Sequence, residues 1–264
     1  SNIEAIQLAD GVSNRFHLTT GVAVAGIGTI SGGSGNDTID ASSALASVSL
    51  LGGNGNDSLL GGAQGDTFEG GNGADTIISG GGADSILGGD GNDVFEFEDF
   101  AELSSIVTLD GETGQNTIRF SGAATGELAD WEAVFANVSN IDSVALDYDF
   151  APSKIVLGSN AQAAGVVSVS AGVGGNYLDA SNYTIDITIS SGWGDDSLLG
   201  GSGDDFLDGG TGIDKIIGTT SVGIGIGEKD TLTGSGWDYF VLGDSTNVYY
   251  NSDTQVADVT DLDY

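Results

Sequence analysis

Apolar and acidic side chains recur with a period of nine residues between Gly52 and Glu96. Five nonads fill this stretch without a gap: GGNGNDSLL, GGAQGDTFE, GGNGADTII, SGGGADSIL and GGDGNDVFE. Each has glycines in its first half. Because alternate side chains of a strand face opposite sides, residues seven to nine of each nonad predict a short strand whose central side chain points into a core. The apolar eighth positions are Leu59, Phe68, Ile77, Ile86 and Phe95, and the acidic sixth positions are Asp57, Asp66, Asp75, Asp84 and Asp93.

The first six residues of each nonad predict a turn, because glycine tolerates left-handed backbone angles that a Cβ penalises. Two nonads then close one flattened coil of 18 residues, and the turns of alternate nonads stack about 4.8 Å apart. Asp57 is expected to lie over Asp75, and Asp75 over Asp93. Stacked carboxylates repel one another, whereas a divalent cation between them reverses the sign, and an all-oxygen ligand set favours Ca²⁺.

These nonads resemble the GGxGxDxUx repeats of the RTX family, whose calcium-binding parallel β-roll occurs in exported bacterial proteins. The resemblance implies an all-β fold: a right-handed parallel β-roll or β-helix solenoid with calcium stacked in its turns. It also implies that turn carbonyls and the sixth-position aspartates of neighbouring turns hold each ion. A flexible Gly/Ser linker is the alternative, and it is disfavoured because linkers have no reason to repeat an apolar residue every nine positions.

A second, longer period indicates a duplication. SNIEAIQL at 1–8 matches SNIDSVAL at 139–146, and the nonads from 52 to 71 match SGWGDDSLLGGSGDDFLDGG at 191–210. We therefore predict two solenoid modules, each with its own block of nonads. The modules are 1–138, with the block 52–96, and 139–264, diverged, with the block 191–241.

The segments outside the nonad blocks have a different pattern. Residues 1–31 and 139–170 alternate apolar side chains without an acid at the sixth position, which predicts metal-free coils around an apolar core. Between 127 and 138 the apolar residues fall at helical spacing, and we expect a short amphipathic helix there. Its apolar residues are Leu128, Trp131, Val134, Phe135 and Val138.

Pairing sixth positions across one coil gives up to about eight candidate calcium stacks. Asn176 replaces one acid and is expected to bind weakly or not at all, and the register of Asp230 is the least secure. Eight ions would supply sixteen positive charges against −34 and leave −18. The candidate ligands are Asp37, Asp57, Asp66, Asp75, Asp84, Asp93, Asp196, Asp205, Asp214, Asp230 and Asp238. The stacks are Asp37–Asp57, Asp57–Asp75, Asp66–Asp84, Asp75–Asp93, Asn176–Asp196, Asp196–Asp214, Asp205–Asp230 and Asp214–Asp238.

Composition restricts the possible partners and the compartment. With 39 acids against five Lys and Arg, nucleic acid and anionic membranes are excluded as partners. The chain has no Cys, so calcium must replace disulfides as the stabilising cross-link. No apolar run is long enough to span a membrane. The sequence lacks a start Met and a signal peptide, so we expect a processed or excised piece of a longer polypeptide.

Calcium affinity predicts an extracellular location. Extracellular modules bind Ca²⁺ at roughly 10⁻⁴–10⁻³ M, so cytosolic calcium leaves such sites empty and the acidic, glycine-rich chain unfolded. The family resemblance implies export of an unfolded chain and folding outside the cell. The ending VADVTDLDY does not match the usual secretion signal of the family.

No catalytic constellation is found. His17 is the single histidine, which excludes paired-histidine metal sites and makes a catalytic triad improbable; it is expected on a strand without a catalytic role. Because the chain has many Asp and Glu residues, a pair of catalytic acids of the glycosidase type is not excluded. Polysaccharide cleavage is nevertheless the least favoured function. Trp237 directly precedes the paired acid Asp238, and Trp193 lies in the turn before Asp196. Both are expected to be at least partly exposed and to contact a sugar, a partner or neighbouring side chains.

Two functions remain. The favoured one is an extracellular calcium-binding structural or adhesive protein, a surface-layer, sheath, filament or adhesin segment that associates with itself head-to-tail or laterally. The alternative is the noncatalytic secretion and folding domain of a larger secreted enzyme or toxin. The tandem modules favour the first, because such appendages usually contain a single short block of nonads.

Overall fold

The computed structural model describes residues 4–19, 26–122, 131–146, 154–218 and 229–241, together with the backbone of 256–259. It divides the chain into two compact units. One comprises Ser1–Ser121 with Asn137–Asp142, and the other Gly122–Ala136 with Ser143–Tyr264. The proposed duplication, with its boundary after 138, stays a prediction.

All strand pairings of the first unit are parallel, which confirms the predicted all-β solenoid. Its strands alternate between two sheet faces along the chain, with the odd-numbered strands neighbouring one another in one face and the even-numbered strands in the other. The strands are β1 (Ala5–Gln7), β2 (Arg15–His17), β3 (Thr29–Ser34), β4 (Thr38–Asp40), β5 (Ser49–Asn54), β6 (Ser58–Leu60), β7 (Thr67–Asn72), β8 (Thr76–Ile78), β9 (Ser85–Asp90), β10 (Val94–Phe97), β11 (Thr108–Thr113), β12 (Thr117–Phe120) and β13 (Val138–Ser139).

The second unit repeats this parallel arrangement. Here the even-numbered strands β14 to β24 form one face and the odd-numbered strands β15 to β23 the other. The strands are β14 (Ser143–Leu146), β15 (Lys154–Val156), β16 (Ser168–Ser170), β17 (Tyr177–Asp179), β18 (Thr188–Ser190), β19 (Ser197–Leu199), β20 (Phe206–Gly212), β21 (Lys215–Ile217), β22 (Asp230–Gly236), β23 (Tyr239–Phe240) and β24 (Val256–Val259).

Most strands contribute one buried apolar side chain to the core, and some, such as β10, β12 and β14, contribute two, in register with their neighbours one coil away. Leu59 pairs with Ile77, and Phe68 with Ile86. Every predicted eighth-position residue is buried, with at most 1% of its surface exposed. The same holds in the second unit, where Leu178, Leu198 and Ile216 stack in adjacent strands. These stacks are the hydrophobic contribution to a fold whose turns are polar.

Strand lengths differ from the prediction on one face. The expected three-residue strands occur at β6 and β8, but β5, β7 and β9 have six residues each. They continue into the turn because Gly53, Gly71 and Gly89 stay in register with one another. A side chain is not tolerated there, since Gly71 has a φ of 108° and its Cα faces the Gly53 carbonyl.

Three short helices interrupt the strands of the described residues: α1 (Phe100–Ser105), α2 (Trp131–Val134) and α3 (Ser159–Ala164). The helix expected between 127 and 138 is therefore shorter than predicted. It comprises α2 and a 3-10 turn at Phe135–Asn137, while Val138 begins a strand and 123–130 lie outside the described residues. In the described part of the chain, no helix has the length and apolarity needed to cross a membrane.

Candidate calcium-binding turns

A column of aspartates follows the turns along one edge of the first unit. The backbone amide of Asp37 donates to Asp57 Oδ1 at 2.7 Å, and the amide of Asp57 donates to Asp75 Oδ1 at 2.7 Å. The amide of Asp75 donates to Asp93 Oδ1 at 2.9 Å. Asn14 begins the column, because its amide donates to Asp37 Oδ1 at 2.6 Å. In this column, each sixth-position carboxylate therefore accepts a hydrogen bond from a backbone amide of the turn one coil earlier in the chain.

A second column lies on the turns of the alternate nonads. The amide of Asp66 donates to Asp84 Oδ1 at 2.6 Å, and the amide of Val48 donates to Asp66 Oδ1 at 2.9 Å. Asp66 differs from the acids of the first column because its Oδ2 also accepts a hydrogen bond, from the amide of Gly62 at 2.8 Å.

The second unit contains two corresponding columns. In one, the amides of Asn176, Asp196 and Asp214 donate to the carboxylates of Asp196, Asp214 and Asp238 at 2.6, 2.9 and 3.0 Å. In the other, the amide of Asp205 donates to Asp230 at 2.9 Å across the longer segment. The structure thus brings together all eleven candidate ligands in the eight pairs expected from the sequence.

Eight of these aspartates have a second oxygen that is buried without a hydrogen-bond partner among the described residues. The first oxygen receives the amide described above, and the second points into the space between turns. An unpaired buried carboxylate oxygen is costly, because it has lost water and gained no donor. The eight atoms are the Oδ2 atoms of Asp37, Asp57, Asp75, Asp84, Asp93, Asp196, Asp214 and Asp238.

Burial raises the pKa of six of these acids, namely Asp57, Asp75, Asp84, Asp93, Asp196 and Asp214. It raises the pKa of Asp75 to about 7, and the carboxylates of Asp57 and Asp93 act in the same direction. Burial likewise raises the pKa of Asp214 to about 7, with Asp238 and Asp196 as like charges nearby, and that of Asp84 to about 6. Without a counter-charge, the fold therefore opposes ionisation of the columns at neutral pH.

The first-position glycines show what faces each free oxygen. A Cβ on Gly52 would lie less than 3.0 Å from both Asp57 Oδ2 and the Gly70 carbonyl oxygen. Gly70 is placed in the same way against Asp75 Oδ2 and the Gly88 carbonyl, and Gly88 against Asp93 Oδ2 and the Gly111 carbonyl. Two acceptors thus converge beside a glycine that leaves the space open. We call this arrangement the acceptor pair of the turn.

An acceptor pair suits a hard cation. Its donor set is carboxylate and carbonyl oxygen, which is the set that Ca²⁺ prefers. In the described residues no three His, Cys, Asp or Glu side chains converge as a metal-binding group. A bound cation in these turns therefore has to complete its shell with backbone carbonyls, and it would supply the positive charge that the buried carboxylates lack.

In two turns, a side-chain amide donates hydrogen bonds at the place where the aspartate turns have the acceptor pair. Asn116 Nδ2 donates to the Asn140 carbonyl at 3.0 Å, and a Cβ on Gly111 would meet both of these atoms. Asn176 Nδ2 donates to the carbonyls of Gly174 and Ser191 at 2.9 and 3.2 Å. Weak calcium binding at Asn176 stays a prediction.

Asp142 was missed by the sequence analysis, which expected no turn acid between 139 and 170. Its Oδ2 accepts from the amide of Asn116 at 2.7 Å, so it extends the column beyond Asp93. The available signal was Asn140, two residues earlier, which has a φ of 55° and takes the place of a left-handed glycine.

The remaining candidates lie outside the columns. His17 is on β2, as expected, where its Nδ1 and Asp40 Oδ2 are 2.6 Å apart at the surface. Trp193 and Trp237 are 59% and 71% exposed, in agreement with the exposure expected from their positions.

Fold and turns together define a parallel β-solenoid built from calcium-binding repeats. Comparison with family models identifies the repeat. The model of the RTX calcium-binding nonapeptide repeat matches in four copies, at residues 23–43, 49–68, 60–95 and 188–219, so the chain carries RTX repeats. No curated protein matches the chain.

Proposed function

We propose that this chain is an extracellular structural or adhesive segment that folds and stiffens when calcium fills its columns of turns. The acceptor pairs carry this proposal. Each joins a buried carboxylate oxygen and a carbonyl oxygen without a donor between them. A cation bound there neutralises the negative charge of both turns that it contacts. Calcium binding and folding are therefore thermodynamically coupled.

The charge of the chain supports an extracellular role. At −34, the cation-free chain repels itself, which favours the unfolded state. Millimolar calcium exceeds the roughly 10⁻⁴–10⁻³ M affinities of extracellular modules. The chain therefore stays extended where calcium is scarce and folds where calcium is abundant.

Self-association is supported by the exposed aromatic residues of the second unit. Trp237 and Tyr239 are 71% and 66% exposed, far more than soluble surfaces require of such large apolar groups. They lie beside the last paired acid, Asp238, so an assembly through them would also depend on calcium in that turn.

Electron microscopy of the purified chain tests this function. In about 5 mM CaCl₂, well above the affinity range of such sites, the chain should form fibres or sheets that disappear in excess chelator. Trp237→Ser should reduce assembly, whereas Leu45→Ser, equally exposed at 71% in the first unit, should not. Monodisperse particles under both conditions would favour the alternative of a noncatalytic secretion and folding domain.

Calcium content is tested separately by equilibrium dialysis. The eight pairs predict up to about eight ions per chain at millimolar free calcium. A chain that binds no calcium, or that has the same circular dichroism spectrum with and without chelator, would overturn the proposed function.

A further inference from the structure

We propose that the second aspartate column of the first unit ends in a further calcium site, formed by Asp84 and Glu102. This inference rests on the proposed function, because it extends one of its columns. Neither the nonad pattern nor the helix suggests Glu102 as a ligand. It enters the argument through its position beside Asp84.

Asp84 has an oxygen for which the nonads supply no partner. Its side chain is fully buried, and its Oδ1 accepts the amide of Asp66. Its Oδ2 is buried and has no hydrogen-bond partner among the residues that the structure describes. In the other column, Asp93 lies one coil beyond Asp75. One coil beyond Asp84 there is no nonad, because helix α1 occupies that part of the chain.

Helix α1 brings a carboxylate to this end of the column. The coil is lengthened to 23 residues here, since Ser85 pairs with Thr108, so Glu102 lies one coil beyond Ser79 rather than directly over Asp84. The Ser79 hydroxyl donates to Glu102 Oε1 at 2.5 Å and lies beside the Asp84 carboxylate. Ser79 has one hydroxyl proton, so it cannot donate to Glu102 and to Asp84 at the same time. The buried carboxylate of Asp84 and the half-buried carboxylate of Glu102 thus lie around one hydroxyl, while the Glu98 amide donates to the other oxygen of Glu102.

The helix is fixed in a way that holds Glu102 there. Asp99 caps its N-terminus by accepting the amide of Glu102 at 2.9 Å. Phe100 is buried and packs on Phe120, with their ring centroids 4.4 Å apart. At the other end, the Ser105 hydroxyl donates to the Gly82 carbonyl, which belongs to the Asp84 turn, at 2.5 Å. The backbone of Glu102 is therefore fixed to the same turn as Asp84.

Two like charges around one hydroxyl require a cation or a proton. Oxygen ligands from an aspartate and a glutamate favour a hard divalent cation, and calcium is already the ion of the neighbouring turns. The competing explanation is that one carboxylate stays protonated and donates to the other. The two explanations differ in the number of ions that the chain binds.

The test is calcium stoichiometry by equilibrium dialysis on the full chain. Glu102→Gln should bind one ion fewer than the wild type, because the isosteric amide keeps the shape and removes the charge. Glu98→Gln is the matched control: Glu98 is exposed on the same segment, and its loss should leave the count unchanged. An unchanged count in Glu102→Gln would overturn the inference in favour of a shared proton.

Ser79→Ala separates ligation from a structural role and remains informative if Glu102→Gln fails to fold. If Glu102 only anchors helix α1 through Ser79, both variants should lose stability and keep all ions, which would overturn the inference. If it binds calcium, Ser79→Ala should keep the ion that Glu102→Gln loses. A wild type that binds no calcium would instead refute the proposed function itself.

Discussion

The turns at Asp75 and Asn116 belong to one column and differ in what closes them. At Asp75, the carboxylate oxygen and the Gly88 carbonyl face each other as an acceptor pair. At Asn116, the amide nitrogen donates to the Asn140 carbonyl at 3.0 Å, so the protein supplies its own donor. We propose that calcium dependence is set turn by turn, by whether the sixth-position side chain accepts or donates.

The largest effect is expected from removing Asp75, which belongs to two stacks. In calcium, Asp75→Ala should lower the free energy of unfolding by about 3 kcal/mol or more, because it leaves neighbouring charges without their shared partner. Denaturant unfolding followed by circular dichroism measures this. Glu69→Ala removes an equally charged but exposed acid nearby and should change stability by less than about 0.5 kcal/mol. Equal losses in both variants would contradict the role of the column.

Converting the donor turn into an acceptor turn should make it depend on calcium. At limiting calcium, where the wild type is still folded, Asn116→Asp should lower the free energy of unfolding by about 1–3 kcal/mol, because it replaces a hydrogen bond by an unpaired buried charge. In saturating calcium the loss should vanish and one more ion should bind. Asn176→Asp is the corresponding change in the second unit. A calcium-independent effect of both substitutions would refute the distinction between the two kinds of turn.

Acidification should have opposite effects with and without calcium. Burial raises the folded pKa of Asp75 and Asp214 to about 7, from an ordinary 3.8. A raised carboxyl pKa means that the folded state binds protons more tightly than the unfolded state. In chelator, stability is therefore highest below 3.8 and is lost as pH rises towards 7.

Lowering the pH from about 8 to about 5 should thus increase β structure in chelator. In calcium the same change should weaken the fold, because protons compete with the cation for these carboxylates. Circular dichroism across this range checks both signs. The same sign under both conditions would show that the acceptor pairs do not control folding.

The smallest effect is expected at Glu112, which lies in β11, directly before the Asn116 turn. It pairs with Gly89 in the neighbouring strand and has a φ of 59°, a left-handed conformation that side chains oppose. Glu112→Gly should raise the free energy of unfolding by about 1 kcal/mol in calcium. Thermal unfolding detects this gain, and a loss of stability would show that the Glu112 side chain contributes contacts that outweigh the strain.

The coils built from intact nonads could be predicted because a single interval, the length of one coil, determines which aspartates stack. An 18-residue coil places Asp57, Asp75 and Asp93 in one column wherever the nonads are intact. The Asp205–Asp230 pair was also found, although 25 residues separate its members, because the surrounding nonads fix the coil on both sides.

The interruptions could not be predicted from the pattern. Asp142 was missed because Asn140 replaces the glycine that marks a turn. Glu102 was missed because helix α1 replaces a nonad, and the fit of a helix against a turn depends on the packing of Phe100. The donor role of Asn116 depends on the direction of its amide nitrogen, which spacing does not determine.

Hydrogen exchange of the full chain, followed by mass spectrometry in calcium and in chelator, tests the central claim most directly. In calcium, the amides of β6 and β8 should be protected. In chelator they should exchange as in an unfolded chain. Within the first unit, the difference in exchange between calcium and chelator should be smallest at the turn around Asn116. Equal protection of β6 and β8 under both conditions would contradict the account.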